Sequence, residues 1–258
     1  MTARDLPRFR DSLTPRVADL AAVAERKAKA GHDWFRVEAK AGDDVEVWIY
    51  DEIGFWGTTA DDFARALPRD AKRITLILNS PGGSVFDGVA IYNSLVRHPA
   101  TVDVVVDGIA ASIASVIAMA GDTVTMGRGT RMMIHNPSGL AIGNAADMRE
   151  LADLLDELAK DIAGFYAHRA GGSLDQWLAS MSAETWYSAQ EAVDARLADS
   201  VAGDDKPSNA AKTFDLTAYG FRYADRDHAP DPGAVARKTR SDDVKARVHK
   251  TLRGVESK

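Results

Sequence analysis

RITLILNSPGGSVFDGVAIYNSLVRHPATVDVVVDG, residues 73–108, decides the fold. RITLILN is an unbroken apolar run stopped by SPGGS, the pattern of a strand covered on both faces. VFDGVAIYNSLVRHP then switches to helical spacing, and TVDVVVDG is a second buried strand. Strand, helix and strand in this rhythm predict an α/β fold with a largely parallel sheet.

The pattern extends outward from this unit. VEVWIYDEI (45–53) alternates and is rich in β-formers, so it reads as the first strand of the core. TTADDFARALPRD (58–70) has a Thr cap, early Asp residues and a proline exit, the marks of a helix. ASIASVIAMAG (111–121) is a buried helix, and DTVTMG (122–127) and TRMMIHN (130–136) are short strands. NAADMRELADLLDELAKDIAGFYAHRAGG (144–172) is a helix of about 25 residues, capped by Asn144 and closed by Gly171-Gly172, long enough to project from the body. SLDQWLASM and SAQEAVDARLADS close the domain near residue 202.

Three segments emerge from these patterns. Residues 1–44 form an arm, partly helical through PRVADLAAVAERKAKAG (15–31); residues 45–202 form the domain. Residues 203–258 carry Pro207, Pro230, Pro232 and a terminus dense in both charges, which reads as a mobile or partner-binding extension.

Composition excludes several chemistries. The chain of 258 residues has no cysteine, so thiolate catalysis, disulfides and Cys-based zinc sites are ruled out. A net charge of −6 gives no overall attraction to nucleic acid or to anionic membranes. The N-terminus MTARDLPRFRDSL lacks the apolar core of a signal peptide, and the most apolar stretch, GIAASIASVIAMAG (108–121), is too short to span a bilayer. A cytoplasmic protein without membrane partner, metal or cofactor is expected.

A covalent hydrolase without cysteine needs another nucleophile. VVVDGIAASIAS places Ser112 where a buried strand gives way to a helix, the place where such folds build sites. By itself the junction leaves two readings open: a nucleophile, or a small residue chosen for close packing beside Ala110, Ala111 and Ala114. NSPGGSV (79–85) supplies two glycines that can expose backbone N–H groups to a ligand, but it matches neither a P-loop nor G-x-G-x-x-G. MMIHNP (132–137) ends a strand on one of six histidines, either a hydrogen-bonded core residue or a base.

The order NSPGGSVFDGVAIYNSL, GIAASIAS, MMIHNP, WYSAQEAVDARLADSV resembles the ClpP-type serine peptidases over residues 45–202. The resemblance implies the ClpP/crotonase-like spiral of strand–helix units, with Ser112 as nucleophile, His135 as general base and the backbone N–H groups of Gly83 and Ile113 as oxyanion hole. Asn136-Pro137 stands where the family commonly has Gln-Pro. Its third catalytic member is an Asp four residues before a serine; ETWYSAQEA puts Glu184 there, one methylene longer, with Asp161, Asp175 and Thr185 as substitutes. The remaining histidines, His32, His98, His168, His228 and His249, fall outside the motifs.

The same resemblance implies an endopeptidase acting on protein or peptide substrates and homo-oligomeric rings joined through the helix at 144–170; the chain has no Walker A motif, so ATP-driven unfolding, if used, must come from a separate ATPase partner. The long flanks and ETW look like the phage and prophage branch, which cleaves capsid or scaffold proteins during head maturation. A crotonase-like acyl-CoA enzyme and a non-catalytic assembly subunit are the competing classes.

Overall fold

The computed structural model describes residues 35–40, 43–54, 57–203, 214–223 and 225–236. The helix expected over 15–31 lies outside them. Four strands, β2 (Asp44–Ile49), β3 (Arg73–Ser80), β4 (Thr101–Ala111) and β5 (Thr123–Met126), lie parallel in that order. Alternate residues Val45, Val47 and Ile49 on β2, and Ile74, Leu76 and Leu78 on β3, are buried together with Val102, Val104 and Val106 on β4. The helices α1 (Ala60–Ala66), α2 (Val85–Val96) and α3 (Ile113–Ala118) connect these strands. Thr59 caps α1 and Ser84 caps α2, each accepting a backbone N–H of the first turn.

The sheet is wider than the sequence pattern suggests. A strand β1 (Phe35–Ala39) pairs antiparallel with β2, so the arm boundary at 44 cuts through a hairpin. FRVEA alternates apolar Phe35, Val37 and Ala39 with charged Arg36 and Glu38, but it is only five residues long and its place comes from the free edge of β2. A short strand β7 (Thr185–Ser188) also joins, antiparallel to β6 (Arg131–Ile134). β8 (Ser200–Val201) closes the far edge beside β5.

β4 is the pivot. Its first half pairs with β5 through Asp103–Val106 and its last residues, Ile109–Ala111, pair with β6. Between them the register with β3 shifts at Leu78/Ser80, where the Asn79 side chain accepts the Ile109 N–H at 3.1 Å. Such a bulge bends a strand and re-aims the residues beyond it. It lets one continuous strand serve the main sheet and the β6–β7 extension, ending at Ala111, just before Ser112.

Helix α4 (Ala145–Ala170), 26 residues long, opens with a capping box between Asn144 and Asp147. Only Ala159, Ile162, Ala163 and Tyr166 are buried, all in its C-terminal half, so the N-terminal half projects as expected. Helices α5 (Leu174–Ser182) and α6 (Ala189–Asp194) complete the body.

The extension after residue 203 departs from expectation. Phe214, Leu216, Phe221, Tyr223 and Ala229 pack on a second apolar cluster made of Ile109, Ala111, Met133 and Trp186. These core residues lie on the face of β4, β6 and β7 opposite Ala110, Met132 and Ile134, which belong to the main core. A strand segment buried on one face only would leave that apolar surface wet; these five side chains cover it. The prolines and charges of the region mask this aromatic content in a composition-based reading.

Gly88 on α2 lies against Ile113: a Cβ there would stand 2.2 Å from Ile113 Cγ1. Gly88→Ala is expected to destabilise the protein by roughly 1–3 kcal/mol through overpacking, read as a lower denaturant midpoint.

Candidate active site

Ser112 sits between the last residue of β4 and the first of α3, with φ 55° and ψ −129°. For a non-glycine residue this backbone is strained by roughly 1–3 kcal/mol and persists only where the surroundings fix it. Three contacts do so. The Ser112 N–H donates to Met133 O at 2.9 Å; the Ser115 N–H and hydroxyl donate to Ser112 O at 3.0 and 2.6 Å. Ser115 Oγ also lies 2.8 Å from the Tyr166 hydroxyl, tying the turn to the buried face of α4. Burial drives the Tyr166 phenol far above its usual range, so it remains a neutral hydroxyl there.

The turn directs the hydroxyl at the end of β6. Ser112 Oγ and His135 Nε2 are 2.8 Å apart, both partly buried. This is the geometry of a serine and its base.

Across from them lies the Gly82–Gly83 turn. Gly82 has φ 94°, and a Cβ would fall 2.7 Å from both Ser112 Cβ and Ala111 O. Gly83 has φ 144°, and its Cβ would stand 2.1 Å from Ile53 O. Neither position accepts a side chain. The turn is pinned through Ile53 N–H to Gly82 O and Ser84 N–H to Ile53 O, each 2.8 Å. Among the described residues, neither the Gly83 N–H nor the Ile113 N–H finds a protein acceptor. The Ile113 amide begins α3, where the helix adds partial positive charge. Two unused donors beside a serine–histidine pair can receive a developing oxyanion.

Glu184, seven per cent exposed and at φ 53°, has other partners. Its Oε2 accepts the Arg222 N–H at 2.7 Å; its Oε1 accepts the Tyr223 N–H at 2.9 Å and Trp186 Nε1–H at 3.3 Å. No hydrogen bond joins it to His135 in this structure. A buried carboxylate needs such donors, and each charge-assisted bond contributes roughly 1.5–3 kcal/mol. Asp161 and Asp175 lie at the surface, and Thr185 spends its hydroxyl on Ser180 O at 2.7 Å. His98 bridges Pro68 O and the Ala100 N–H, His168 is exposed and His228 pairs with Asp225; His32 and His249 lie outside the described residues.

What the motifs did not show is how the C-terminal segment meets this site. The Phe221 ring stands edge-on to His135, centroids 5.4 Å apart at 88°, and also contacts Trp186 and Tyr219. The signal available in the sequence is the cluster of Phe214, Tyr219, Phe221 and Tyr223 in an otherwise polar region. Arg226 anchors it further, its Nε and Nη2 donating to the two oxygens of Glu191 at 2.7 and 2.5 Å.

A strained serine bonded to a histidine beside two open backbone amides, on an α/β sheet, defines a serine hydrolase. Sequence comparisons narrow the class. The profile of the Clp protease family matches residues 64–205, more than half of the chain. The ATP-dependent Clp protease proteolytic subunit of Bacteroides fragilis is 35% identical over 165 residues, spanning 59% of this chain and 80% of that protein. The subunit 1 of Leifsonia xyli is 32% identical over 165 residues, 60% and 81% of the two chains, and subunit 2 of Thermobifida fusca is 38% identical over 135 residues, 50% and 65%. The chain belongs to the Clp protease family and is a ClpP-type serine peptidase, with the ClpP-like fold. No described helix is long and apolar enough to cross a membrane, and no group of three described His, Asp or Glu side chains could hold a metal ion.

The Arg226–Glu191 pair has a pH signature. The guanidinium holds the Glu191 carboxyl down at about 2, from 4.5. A carboxyl with a depressed folded value stabilises docking above its unfolded value and loses that contribution as pH falls from about 4.5 towards 2. Peptic cleavage within 214–236 should therefore appear in that window, and at higher pH in Arg226→Gln.

Proposed function

We propose that this peptidase cleaves protein substrates with Ser112 as nucleophile and His135 as general base, the reading carried by the 2.8 Å contact between their side chains. His135 takes the hydroxyl proton as Ser112 Oγ attacks the peptide carbonyl carbon. The resulting oxyanion lies between the amides of Gly83 and Ile113. The imidazolium returns its proton to the leaving amine, leaving an acyl ester on Ser112. Water, deprotonated by His135, then releases the acid product and restores the serine. Glu184 occupies the place of the family's acid; in this reading it supports the imidazole without being its hydrogen-bonded partner.

Residues 45–202 make up the peptidase unit in this reading, between flanks 1–44 and 203–258. A crotonase-like enzyme would not need the serine–histidine bond, and an assembly subunit would not need the strained serine or the open amides, so both readings are weaker. The projecting half of α4 leaves Met148 and Leu154 partly exposed, with Leu140 and Ile142 before it strongly so. Monomers seldom leave such a row uncovered, which supports association of subunits through α4 into rings. A separate ATPase would supply any unfolding; the relatives are named proteolytic subunits of an ATP-dependent protease. The flanks and the Glu at 184 support capsid or scaffold proteins of a phage head as the substrates, a cytoplasmic task.

Ser112→Ala and His135→Ala should each abolish fluorophosphonate labelling and lower casein or capsid-precursor cleavage by at least roughly 10³-fold, since such residues act as a unit. Labelling that survives Ser112→Ala overturns the assignment. In size-exclusion chromatography with light scattering, wild-type protein at micromolar concentration should elute as an oligomer, and Met148→Glu/Leu154→Glu as a smaller species; a wild-type monomer excludes rings.

A further inference from the structure

We propose that residues 214–223 and 225–226 are a built-in clasp that positions the catalytic imidazole, with Phe221 as the residue that touches it and Glu184 as the post that holds it. The proposal rests on the serine–histidine assignment. Glu184 binds both consecutive amides that come after Phe221, at 2.7 and 2.9 Å, so the carboxylate fixes the backbone immediately after that ring. Phe221 is held from the other sides by Trp186, at 6.0 Å and 76°, and by the stacked ring of Tyr219 at 6.1 Å. What remains to it is its edge contact with His135.

The arrangement links the acid position to the imidazole by a path of one carboxylate, two amides and one ring. Edge-to-face contact of this kind restricts how an imidazole can tilt. The tilt decides whether Nε2 points at Ser112 Oγ, so Phe221 and Glu184 are positioning residues. They touch neither substrate nor the reacting atoms. Two further anchors make the segment part of the fold: the Arg226–Glu191 pair, and the apolar seat on Ile109, Ala111, Met133 and Trp186. These last residues flank the strand ends that carry Ser112 and His135, so one segment spans both halves of the site.

The test uses the full chain, a fluorophosphonate probe for Ser112 and a short chromogenic peptide. Phe221→Ala should slow labelling at least tenfold and lower kcat by a similar factor with KM within about twofold. Phe221→Tyr, which keeps the ring edge, should recover most of the rate. Glu184→Gln, which keeps the shape and weakens the amide bonds, should slow labelling several-fold and keep the protein folded if Phe221→Ala does not fold. Ring-proton shifts of His135 should move in Phe221→Ala, a change that loss of overall stability does not cause. Labelling at the wild-type rate in a folded Phe221→Ala overturns the proposal. Faster labelling overturns it too and makes the segment a screen over the serine. A slow Glu184→Gln beside an unaffected Phe221→Ala returns the acid to direct contact with the imidazole. A wild-type protein that never labels defeats the nucleophile reading itself, whereas a labelled wild type with an equally labelled Phe221→Ala defeats the clasp alone.

Discussion

The hydrogen bond from the Ser112 amide to the Met133 carbonyl is the constraint on which the site depends. It is the last rung of the ladder between β4 and β6, and it is made by a residue whose backbone has already left the strand. The strain of that conformation is held by a rung from a strand ending at Ile134. His135 comes directly after. Ser112 and His135 are therefore brought together by sheet register, whose period of 2 permits no gradual slip. A shift of one residue would turn His135 to the other face.

The same economy governs the opposite wall. A bulge at Asn79 bends β4 so that it can carry both β5 and β6, and the Gly82–Gly83 turn can then approach the serine as closely as backbone allows. Side chains at either glycine would collide with Ser112 or Ile53, and what the turn presents is N–H. Support for the serine's own carbonyl comes from Ser115 and, behind it, Tyr166 on α4.

The parallel core and the long capped helix were legible because they rest on local rules: RITLILN and TVDVVVDG have the continuous apolar character of doubly covered strands, and Asn144 and Gly171 punctuate α4. Ser112, His135, Gly83 and Ile113 were legible through ordered motifs, and the structure gathers them at one end of β4. FRVEA and TWYS were not read as strands: the first alternates but is a lone run of five inside a segment that reads as an arm, the second is four residues long, and both are placed by the edge they find. The partners of Glu184 were also hidden: they are backbone amides of Arg222 and Tyr223, which carry no residue-specific signal. The docked extension failed to register for a related reason. Its prolines and charges dominate composition, whereas four aromatic rings spaced along it determine where it lies.

The helix that braces the serine is also the one that leaves the body. At 1.5 Å per residue, the 26 residues of α4 make a rod of about 39 Å, with Tyr166 near its embedded end and Met148 near its free one. A helix resists bending and stretching far better than a loop does. The shaft thus joins the protruding tip to a phenol two hydrogen bonds from the Ser112 carbonyl, so the free end and the strained turn belong to one stiff body.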